Sequence, residues 1–316
     1  MSLAAAAQRS QQRVGYGGHV VPIPRAKTMR NIAAEWASWI DKAADPDSAD
    51  RFRRTGFSDL DDTAGPIVSD GRLIVLGARP GIGKTAFAQQ LAEQVAKSGG
   101  VVLFFSLEMG APEIFSRTVC CRSGVALPRL ERPRELTDEE WSVIAEAIAS
   151  ASDDLSTMIV DDTSRTIDAI KVRTREIAAT CDAQSTGLSL IVIDYLQLIQ
   201  GAGRSENRTL EVGGITGDLK KMANDYDVPV LALSQLSRAL EGRPDKHPQM
   251  SDLRDSGEIE QHADVVMFLY RDEVYHPDSQ LKGTAEVSIS KNRSGPIGDT
   301  IRLAWRAERC CFGNLR

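Results

Sequence analysis

Residues 72–85 read Arg-Leu-Ile-Val-Leu-Gly-Ala-Arg-Pro-Gly-Ile-Gly-Lys-Thr, an apolar run followed by a glycine-rich turn. The apolar run predicts a buried β-strand, and the Ala-Phe-Ala that follows Thr85 predicts the start of a helix. A glycine-rich turn between a strand and a helix gathers backbone N–H groups at the helix N-terminus, where they bind phosphate. The stretch therefore predicts a phosphate-binding loop in an α/β domain.

Eight residues form the predicted loop: Ala78, Arg79, Pro80, Gly81, Ile82, Gly83, Lys84 and Thr85. The Lys84 ammonium suits the outer phosphates of ATP, the Thr85 hydroxyl suits Mg²⁺, and the glycines let the backbone approach. Ala78 stands where the pattern G-x-x-x-x-G-K-T usually has glycine, with Gly77 one residue early. A chance glycine turn is the alternative interpretation. The strand, the helix and the Lys-Thr pair favour a site for ATP and Mg²⁺.

The composition is typical of a globular protein. The chain has 316 residues, 42% of them hydrophobic, which is enough for a substantial core. No apolar run approaches the roughly 20 residues that span a bilayer, so we expect no membrane partner and a cytoplasmic location. The formal net charge of −6 argues against a surface that is basic throughout. Any nucleic-acid contact therefore has to come from a local basic lining.

The five cysteines lie at positions 120, 121, 181, 310 and 311, an odd count with two adjacent pairs and no C-x-x-C. This spacing suits neither a disulfide framework nor a zinc site. None of the four histidines belongs to an H-E-x-x-H pattern. We therefore expect reduced, partly buried thiols and no zinc.

The first part of the chain differs from the rest. Residues 1–27 combine an alanine run, glycines and prolines, a composition typical of a flexible leader. Residues 28–54 are predicted to be a linker with an amphipathic helix, whose apolar residues recur at three- and four-residue spacing: Met29, Ile32, Trp36, Trp39, Ile40 and Ala43. Two interpretations are equally open: the helix packs on its own domain, or it docks on an adjacent subunit.

Residues 55–316 are predicted to form one domain in which strands and helices alternate. Apolar runs that predict strands lie at 72–77, 101–106, 158–161, 189–194, 229–234 and 264–270. Helical patterns lie at 85–97, 112–123, 137–151, 166–182 and 209–226. This alternation is typical of an α/β fold with a largely parallel central sheet flanked by helices. Two further runs, 284–291 and 299–305, predict a β-hairpin at the sheet edge.

Three polar residues follow predicted strands and suit nucleotide hydrolysis. Asp194 ends the run Leu-Ile-Val-Ile-Asp, where a strand-end acid would lie beside Mg²⁺. Glu108 follows the strand at 101–106 and is placed to orient water, and Gln235 ends another strand, where it could sense the γ-phosphate. Each alone has a simpler explanation: a turn for Asp194, a helix N-terminal acid for Glu108 and a helix cap for Gln235.

Together these residues resemble the DnaB-like replicative DNA helicases, whose core is a RecA-type P-loop ATPase. The resemblance runs from about Thr55 to the C-terminus. Besides the phosphate loop, its motifs are Thr-Gly-Phe at 55–57 with Leu60 and Asp61, Ser-Leu-Glu-Met at 106–109, Ile-Asp-Tyr-Leu-Gln-Leu at 193–198, Ala-Leu-Ser-Gln-Leu at 232–236, Ser-Asp-Leu-Arg-Asp-Ser-Gly at 251–257, Ile-Glu-Gln at 259–261, Tyr-Arg-Asp-Glu at 270–273 and Lys-Asn-Arg-Ser-Gly-Pro at 291–296. The alanine at position 78 matches the family's usual form.

The resemblance implies a hexameric ring that hydrolyses ATP at subunit interfaces. Such a ring moves 5′ to 3′ on single-stranded DNA and unwinds duplex at forks. The resemblance assigns Glu108 to the attacking water, Asp194 to Mg²⁺ and Gln235 to coupling between nucleotide state and DNA. Lys291 and Arg293 match catalytic residues that reach the γ-phosphate of the next subunit. Without the resemblance, Lys-x-Arg in a hairpin would be read as a solvated basic turn.

The resemblance also implies residues that bind DNA. Arg254, Asp255 and Gly257 match a loop that grips the DNA backbone, where an arginine and a backbone N–H would each meet a phosphate oxygen. A surface Asp-Arg ion-pair loop is the simpler interpretation of the residues alone. The polar stretch 201–208 looks like a second channel-facing loop.

Two features depart from the family pattern. The family usually has a helical N-terminal domain that contacts primase, whereas only the linker-like helix precedes the ATPase region here. We expect a piece of a longer protein or a compact phage- or plasmid-type member, which leaves contact with primase or a helicase loader open. In addition, Gly213, Gly214 and Gly217 fall in a predicted helix, where each costs about 1 kcal/mol relative to alanine. The sequence offers no reason for them.

Two other classes of protein remain as alternatives to the helicase. One is a RecA-like ATPase that binds or remodels single strands without unwinding. The other is an assembly module in which ATP only closes the ring. The Lys291 and Arg293 hairpin and the Ser-Asp-Leu-Arg loop favour the helicase, because they match it in detail.

Overall fold

The structure of the chain is a computed structural model, which describes residues 28–43, 53–184, 186–201, 208–253 and 256–315. The chain divides into two units, residues 1–51 and 52–316. In the first unit, helix α1 (Met29–Ala43) confirms the helix predicted there, and its residues Met29, Ile32 and Trp36 are exposed. Docking of this helix on an adjacent subunit stays a prediction.

The second unit is built on a nine-stranded sheet. Its strands are β1 (Leu73–Ala78), β2 (Val101–Ser106), β3 (Met158–Asp161), β4 (Leu188–Asp194), β5 (Val230–Gln235), β6 (Val265–Tyr270), β7 (Thr284–Asn292), β8 (Thr300–Arg306) and β9 (Cys311–Asn314). Their order is β3-β2-β4-β5-β1-β6-β7-β8-β9. Pairing is parallel from β3 to β6 and antiparallel from β6 to β9.

This sheet confirms the predicted α/β fold, and β7 with β8 confirms the predicted hairpin. The sequence does not predict β9, because its four residues are too few to show a strand period. Eight helices of the described residues belong to this unit: α2 (Ser58–Ala64), α3 (Lys84–Lys97), α4 (Ala111–Ser123), α5 (Leu127–Leu130), α6 (Asp138–Asp154), α7 (Ile167–Ala183), α8 (Arg208–Tyr226) and α9 (Ser256–His262). No helix in the described ranges combines the length and apolar character of a membrane span.

Apolar side chains fill both faces of the sheet. In β1, Ile74 and Leu76 share one layer with Phe87 of α3. Leu73 and Val75 share the opposite layer with residues of α7 and α8. Alternate residues of a strand point to opposite faces, so a strand that is buried throughout is typical of a parallel sheet covered on both sides. Strand β1 is therefore a rigid support for the loop that follows it.

The parallel pairing brings the ends of several strands to one edge of the sheet. Ala78 of β1 is in register with Gln235 of β5, and Ser106 of β2 with Asp194 of β4. Because parallel strands run in the same direction, the loops after them lie on the same side. The phosphate loop and the predicted strand-end residues are thus collected at the C-terminal edge.

Helix α8 contains the three unexplained glycines, and its packing accounts for two of them. A Cβ on Gly213 would lie 2.7 Å from Cγ of Glu258, and a Cβ on Gly217 would lie 3.0 Å from the ring of His262. Glu258 and His262 belong to α9, which packs against α8. A Cβ on Gly214 would meet nothing within 4 Å. Gly213 and Gly217, one helical turn apart, therefore let α9 approach the backbone of α8 closely.

Replacement of these glycines by alanine separates close packing from helix propensity. We expect Gly213→Ala to lower the free energy of unfolding by about 1–3 kcal/mol, because the added methyl group overpacks the contact with α9. Gly214→Ala is the matched control and should raise it by up to about 1 kcal/mol, because alanine favours the helix. Denaturant unfolding followed by circular dichroism measures both. Equal stabilisation by the two substitutions would contradict the close contact.

Candidate nucleotide site

A cavity of about 290 Å³ opens at the C-terminal edge of the sheet. Its lining comes from the loop, the ends of β2, β4, β5 and β8, helix α4 and the segment before β9: Arg79, Pro80, Gly81, Gly83, Lys84, Thr85, Ala86, Glu108, Met109, Arg117, Tyr195, Gln235, Trp305 and Cys310. The structure thus brings predicted loop residues together with Glu108 and Gln235. The side chains of Ala78 and Ile82 are buried in the core instead.

The loop closes on the N-terminus of α3. Gly81 and Gly83 have φ angles of 79° and 110°, which other residues rarely adopt. A Cβ on Gly83 would also lie 2.9 Å from the ring of Phe312 in β9. Gln90 of α3 fixes Phe312: its Oε1 accepts from the Phe312 N–H at 2.7 Å, and its Nε2 donates to the Phe312 carbonyl at 3.1 Å. Strand β9 therefore forms a wall behind the loop.

The Thr85 hydroxyl donates a hydrogen bond to Oδ2 of Asp194 at 2.7 Å. Asp194 is fully buried, and its Oδ1 has no hydrogen-bond partner among the described residues. A buried carboxylate oxygen without a partner is unfavourable. Mg²⁺ prefers oxygen ligands and keeps part of its water shell, so a cation beside Thr85 would satisfy this oxygen. The pair fits the metal that the resemblance implies.

Burial shifts the pKa values of Asp194 and of the neighbouring Lys84. Burial lowers the pKa of Lys84, against the opposing effect of Asp194 and Glu108. Burial also raises the pKa of Asp194, against the opposing effects of Lys84 and the Thr85 hydrogen bond. The Lys84 Nζ lies 4.3 Å from the centroid of the Tyr195 ring. A desolvated lysine charge is strongly stabilised by an added anion, so the site favours a polyphosphate.

The end of β5 is held from two sides. Gln197 Oε1 accepts a hydrogen bond from the Gln235 N–H at 3.1 Å. On the other side, Arg79 donates to the Leu236 carbonyl at 2.9 Å and pairs with Glu241 at 2.6 Å. Arg79, which the sequence predicts as part of the phosphate loop, therefore ties that loop to β5. The Gln235 side chain faces the cavity from a fixed backbone.

Sequence reasoning assigns no role to four residues that line the cavity: Arg117, Tyr195, Trp305 and Cys310. Trp305 lies under Arg271, whose guanidinium carbon is 4.7 Å from the ring centroid. Arg271 also donates to the Gly81 carbonyl at 3.2 Å. The Tyr-Arg-Asp-Glu motif at 270–273 is the one sequence signal for this contact. Arg117 on α4, Tyr195 after β4 and Cys310 before β9 reach the cavity only through tertiary packing.

Some predicted site residues lie elsewhere. Lys291 pairs with Val266 of β6, and the Arg293 N–H donates to the carbonyl of Asp264, which precedes β6. Because β7 runs antiparallel to β6, its end lies at the edge of the sheet opposite the phosphate loop. Gly257 is exposed at the start of α9, and Arg254 and Asp255 lie outside the described residues.

The strand, the glycine loop on a helix N-terminus and the Lys-Thr pair beside a strand-end aspartate define a P-loop nucleoside-triphosphatase. The family model for the DnaB-like helicase C-terminal domain matches residues 54–314. The chain therefore belongs to the DnaB-like helicase C-terminal domain family, which confirms the resemblance found in the sequence.

Individual relatives agree with this assignment. Replicative DNA helicase DnaB of Geobacillus stearothermophilus is 47% identical over 266 residues, which are 83% of this chain and 56% of that protein. The DnaB of Pasteurella multocida is 45% identical over 263 residues, which are 83% of this chain and 55% of that protein. The chain thus spans little more than half the length of these relatives.

Solved structures confirm the RecA-like fold. One of them, described as an ATPase domain, has a TM-score of 0.80 and 34% identity, covering 90% of this chain and 99% of that one. A DnaB-like replicative helicase, described with its interactions with primase, has a TM-score of 0.81 and 35% identity, covering 90% of this chain and 68% of that one. A KaiC-like protein of Pyrococcus horikoshii, at 16% identity and a TM-score of 0.55, shares the fold alone.

Cys310 reports on occupancy of the cavity, because it is partly exposed in the cavity lining. We expect a nucleoside triphosphate with Mg²⁺ to slow alkylation of Cys310 several-fold, as bound ligand covers the thiol. Mass spectrometry of peptides after a short iodoacetamide pulse measures the rate. The variant Lys84→Ala is the control and should show little protection. Unchanged labelling of Cys310 at saturating nucleotide would place the ligand elsewhere.

Proposed function

We propose that this chain is the motor domain of an ATP-driven replicative DNA helicase. It works as a hexameric ring that translocates 5′ to 3′ on single-stranded DNA and unwinds duplex at forks. Family membership supports this proposal, as do the relatives that are replicative DNA helicases. The observation that supports it most is that the predicted catalytic residues lie at two opposite edges of the sheet. Lys84 and Glu108 line one cavity, whereas Arg293 lies at the opposite edge.

Within one chain, the cavity supplies the ATP-binding half of the site. Mg²⁺ would be held by the Thr85 hydroxyl and, through its water shell, by Asp194; when bound, it neutralises charge on the outer phosphates. Lys84 binds those phosphates, and the exposed carboxylate of Glu108 orients the attacking water. Gln235, the last residue of β5, senses whether the γ-phosphate is present and transmits this to the strand. Its backbone contact with Gln197 keeps its position relative to the cavity constant.

The other half of the site comes from a neighbouring copy. Lys291 and Arg293 cannot reach the phosphate loop of their own chain, because they lie at the far edge of the sheet. A contact between unlike edges of successive copies is heterologous and closes into a ring when the rotation allows. Arg293 then stabilises transition-state charge in trans, as an arginine finger does. This arrangement makes hydrolysis depend on assembly.

Single-stranded DNA binds through the segment before α9 and the first turn of that helix. Arg254 and Asp255 occupy the family positions for contact with the DNA backbone, and the exposed Gly257 can offer its backbone N–H to a phosphate. We infer that the linker helix α1 docks on the adjacent subunit through its exposed apolar residues. Primase or a helicase loader is the further partner that the family suggests, since one similar helicase was described with primase.

The Thr85 hydroxyl can be removed with little change in shape. We expect Thr85→Val to lower kcat for ATP hydrolysis about a hundredfold, because it removes a metal-orienting oxygen and the donor to Asp194. Thr85→Ser is the matched control and should retain most activity at saturating Mg²⁺. Steady-state ATPase rates across a Mg²⁺ titration measure both. Equal activity of the valine and serine variants would contradict a metal role for this hydroxyl.

Strand displacement tests the proposed function as a whole. On a forked duplex with a free 5′ tail, we expect ATP-dependent unwinding by the wild-type chain and none by Lys84→Ala. A fork that offers only a 3′ tail is the substrate control and should not be unwound. ATP hydrolysis stimulated by single strands without displacement of either fork would instead favour the RecA-like ATPase that binds or remodels single strands.

A further inference from the structure

A cluster of charged side chains lies at the edge of the sheet opposite the nucleotide cavity, and the buried Asp264 is its centre. Asp264 directly precedes β6 and is 7% exposed. Its Oδ2 accepts hydrogen bonds from Lys220 Nζ at 2.7 Å and from the Leu73 N–H at 2.8 Å. Its Oδ1 accepts from Nη1 of Arg293 at 3.2 Å. One oxygen of the carboxylate is thus fixed by α8 and β1, and the other is directed at Arg293.

Arg293 is held in one orientation but stays accessible. Its backbone N–H donates to the Asp264 carbonyl at 3.0 Å, and its Nη2 donates to the Gln261 carbonyl at 2.8 Å. The side chain is nevertheless 50% exposed. A free arginine side chain loses rotamer entropy on binding, and ordering it beforehand reduces that loss. The contacts therefore prepare Arg293 for a partner outside its own chain.

The C-terminal end of α9 provides further acceptors for these cations. The Gln261 carbonyl receives Arg293, and the Glu260 carbonyl receives Nζ of Lys291. The last carbonyls of a helix lack intrahelical partners and carry partial negative charge, so they favour cations. Asp264 lies two residues beyond the end of this helix. The Asp264 carboxylate and the C-terminal carbonyls of α9 together hold the cationic side chains of Lys291 and Arg293 at one place on the surface.

We propose that Asp264 is a positioning residue, which orients Arg293 for the γ-phosphate bound by the neighbouring copy. This inference rests on the proposed function, since it requires Arg293 to act in trans. Asp264 touches no nucleotide in its own chain, because it lies at the N-terminal edge of the sheet. Lys220 completes the arrangement: its charge offsets that of the carboxylate, and its second hydrogen bond, to the Gly71 carbonyl at 2.8 Å, anchors it.

The first experiment measures ATP hydrolysis by Asp264→Asn in the presence of single-stranded DNA. The amide keeps the size of the side chain and an acceptor for the Leu73 N–H, but it loses the charge that holds Arg293. We expect kcat to fall at least about tenfold, with the KM for ATP changed less than about twofold, because ATP binds to a cavity that the substitution does not touch. Asp218→Asn is the matched control: Asp218 lies on α8 and pairs with Lys171 at 2.7 Å, away from Arg293. Its rate should stay at the wild-type level.

The second experiment mixes subunits and separates positioning from general damage. Asp264→Asn has an intact nucleotide cavity, and Lys84→Ala has an intact Arg293. In rings assembled at random from equal amounts, about one quarter of the interfaces would combine the two intact halves. We expect the mixture to recover up to about a quarter of the wild-type ATPase rate, although each variant alone is nearly inactive. Arg293→Ala mixed with Lys84→Ala is the reference and should recover to the same level.

Three outcomes would overturn the proposal. If Asp264→Asn is not rescued by Lys84→Ala while Arg293→Ala is, Asp264 acts on its own nucleotide site. If Asp264→Asn raises kcat, the carboxylate holds Arg293 away from the neighbouring γ-phosphate instead of orienting it towards that phosphate. If the Arg293→Ala mixture itself fails to recover, the trans site of the proposed function is wrong and this inference fails with it.

A second variant keeps the proposal testable if Asp264→Asn does not fold. Lys220→Met removes one of the two donors to Oδ2 and leaves the carboxylate in place. Circular dichroism establishes folding of each variant before the assays. We expect a smaller, several-fold loss of kcat, and an equal mixture with Lys84→Ala should exceed half the rate of Lys220→Met alone, which is the rate expected without complementation in trans. A folded Lys220→Met variant whose mixture runs at only half its own rate would count against positioning.

Discussion

The parallel register of β1 with β5 and of β2 with β4 is the constraint on which the site depends. The strand pairing alone places the loop that follows β1 beside Asp194 and Gln235. The hydrogen bond from Thr85 to Asp194 then joins the loop to β4. Phe312 of β9 closes the other side, at a distance that only glycine at position 83 permits. A polyphosphate site results from strand pairing and close backbone packing together.

The same sheet places the two proposed halves of the ATP site at opposite edges. Strands β1 to β6 present the phosphate loop and the strand-end residues at one edge, and the antiparallel turn into β7 returns Arg293 to the other edge. The proposed trans site would make ATP hydrolysis depend on assembly of the chain. Helix α9 packs tightly on Gly213 and Gly217 of α8, and its Gln261 carbonyl accepts a hydrogen bond from Arg293. The helix therefore connects the residues proposed to bind DNA with the arginine proposed to act in trans.

Much of this architecture can be predicted from the sequence, because it depends on local pattern. The apolar run before Lys84, the alternation of strands and helices and the strand-end position of Asp194 are all visible without coordinates. Contacts made only in the folded chain are not: Phe312 behind the loop, Gln197 at Gln235 and Asp264 at Arg293 are each separated by tens of residues or more. The glycines of α8 illustrate the same limit, since a helix propensity scale records their cost but not their partner.

In the proposed mechanism, two copies of the chain build one ATP site. The most direct test is an experimental structure of the assembled chain with Mg²⁺ and a non-hydrolysable ATP analogue. We expect the triphosphate to lie in the cavity of one copy, against Lys84 and Thr85, with Arg293 of the next copy within hydrogen-bond distance of the γ-phosphate. A γ-phosphate contacted only by residues of its own chain would contradict this mechanism.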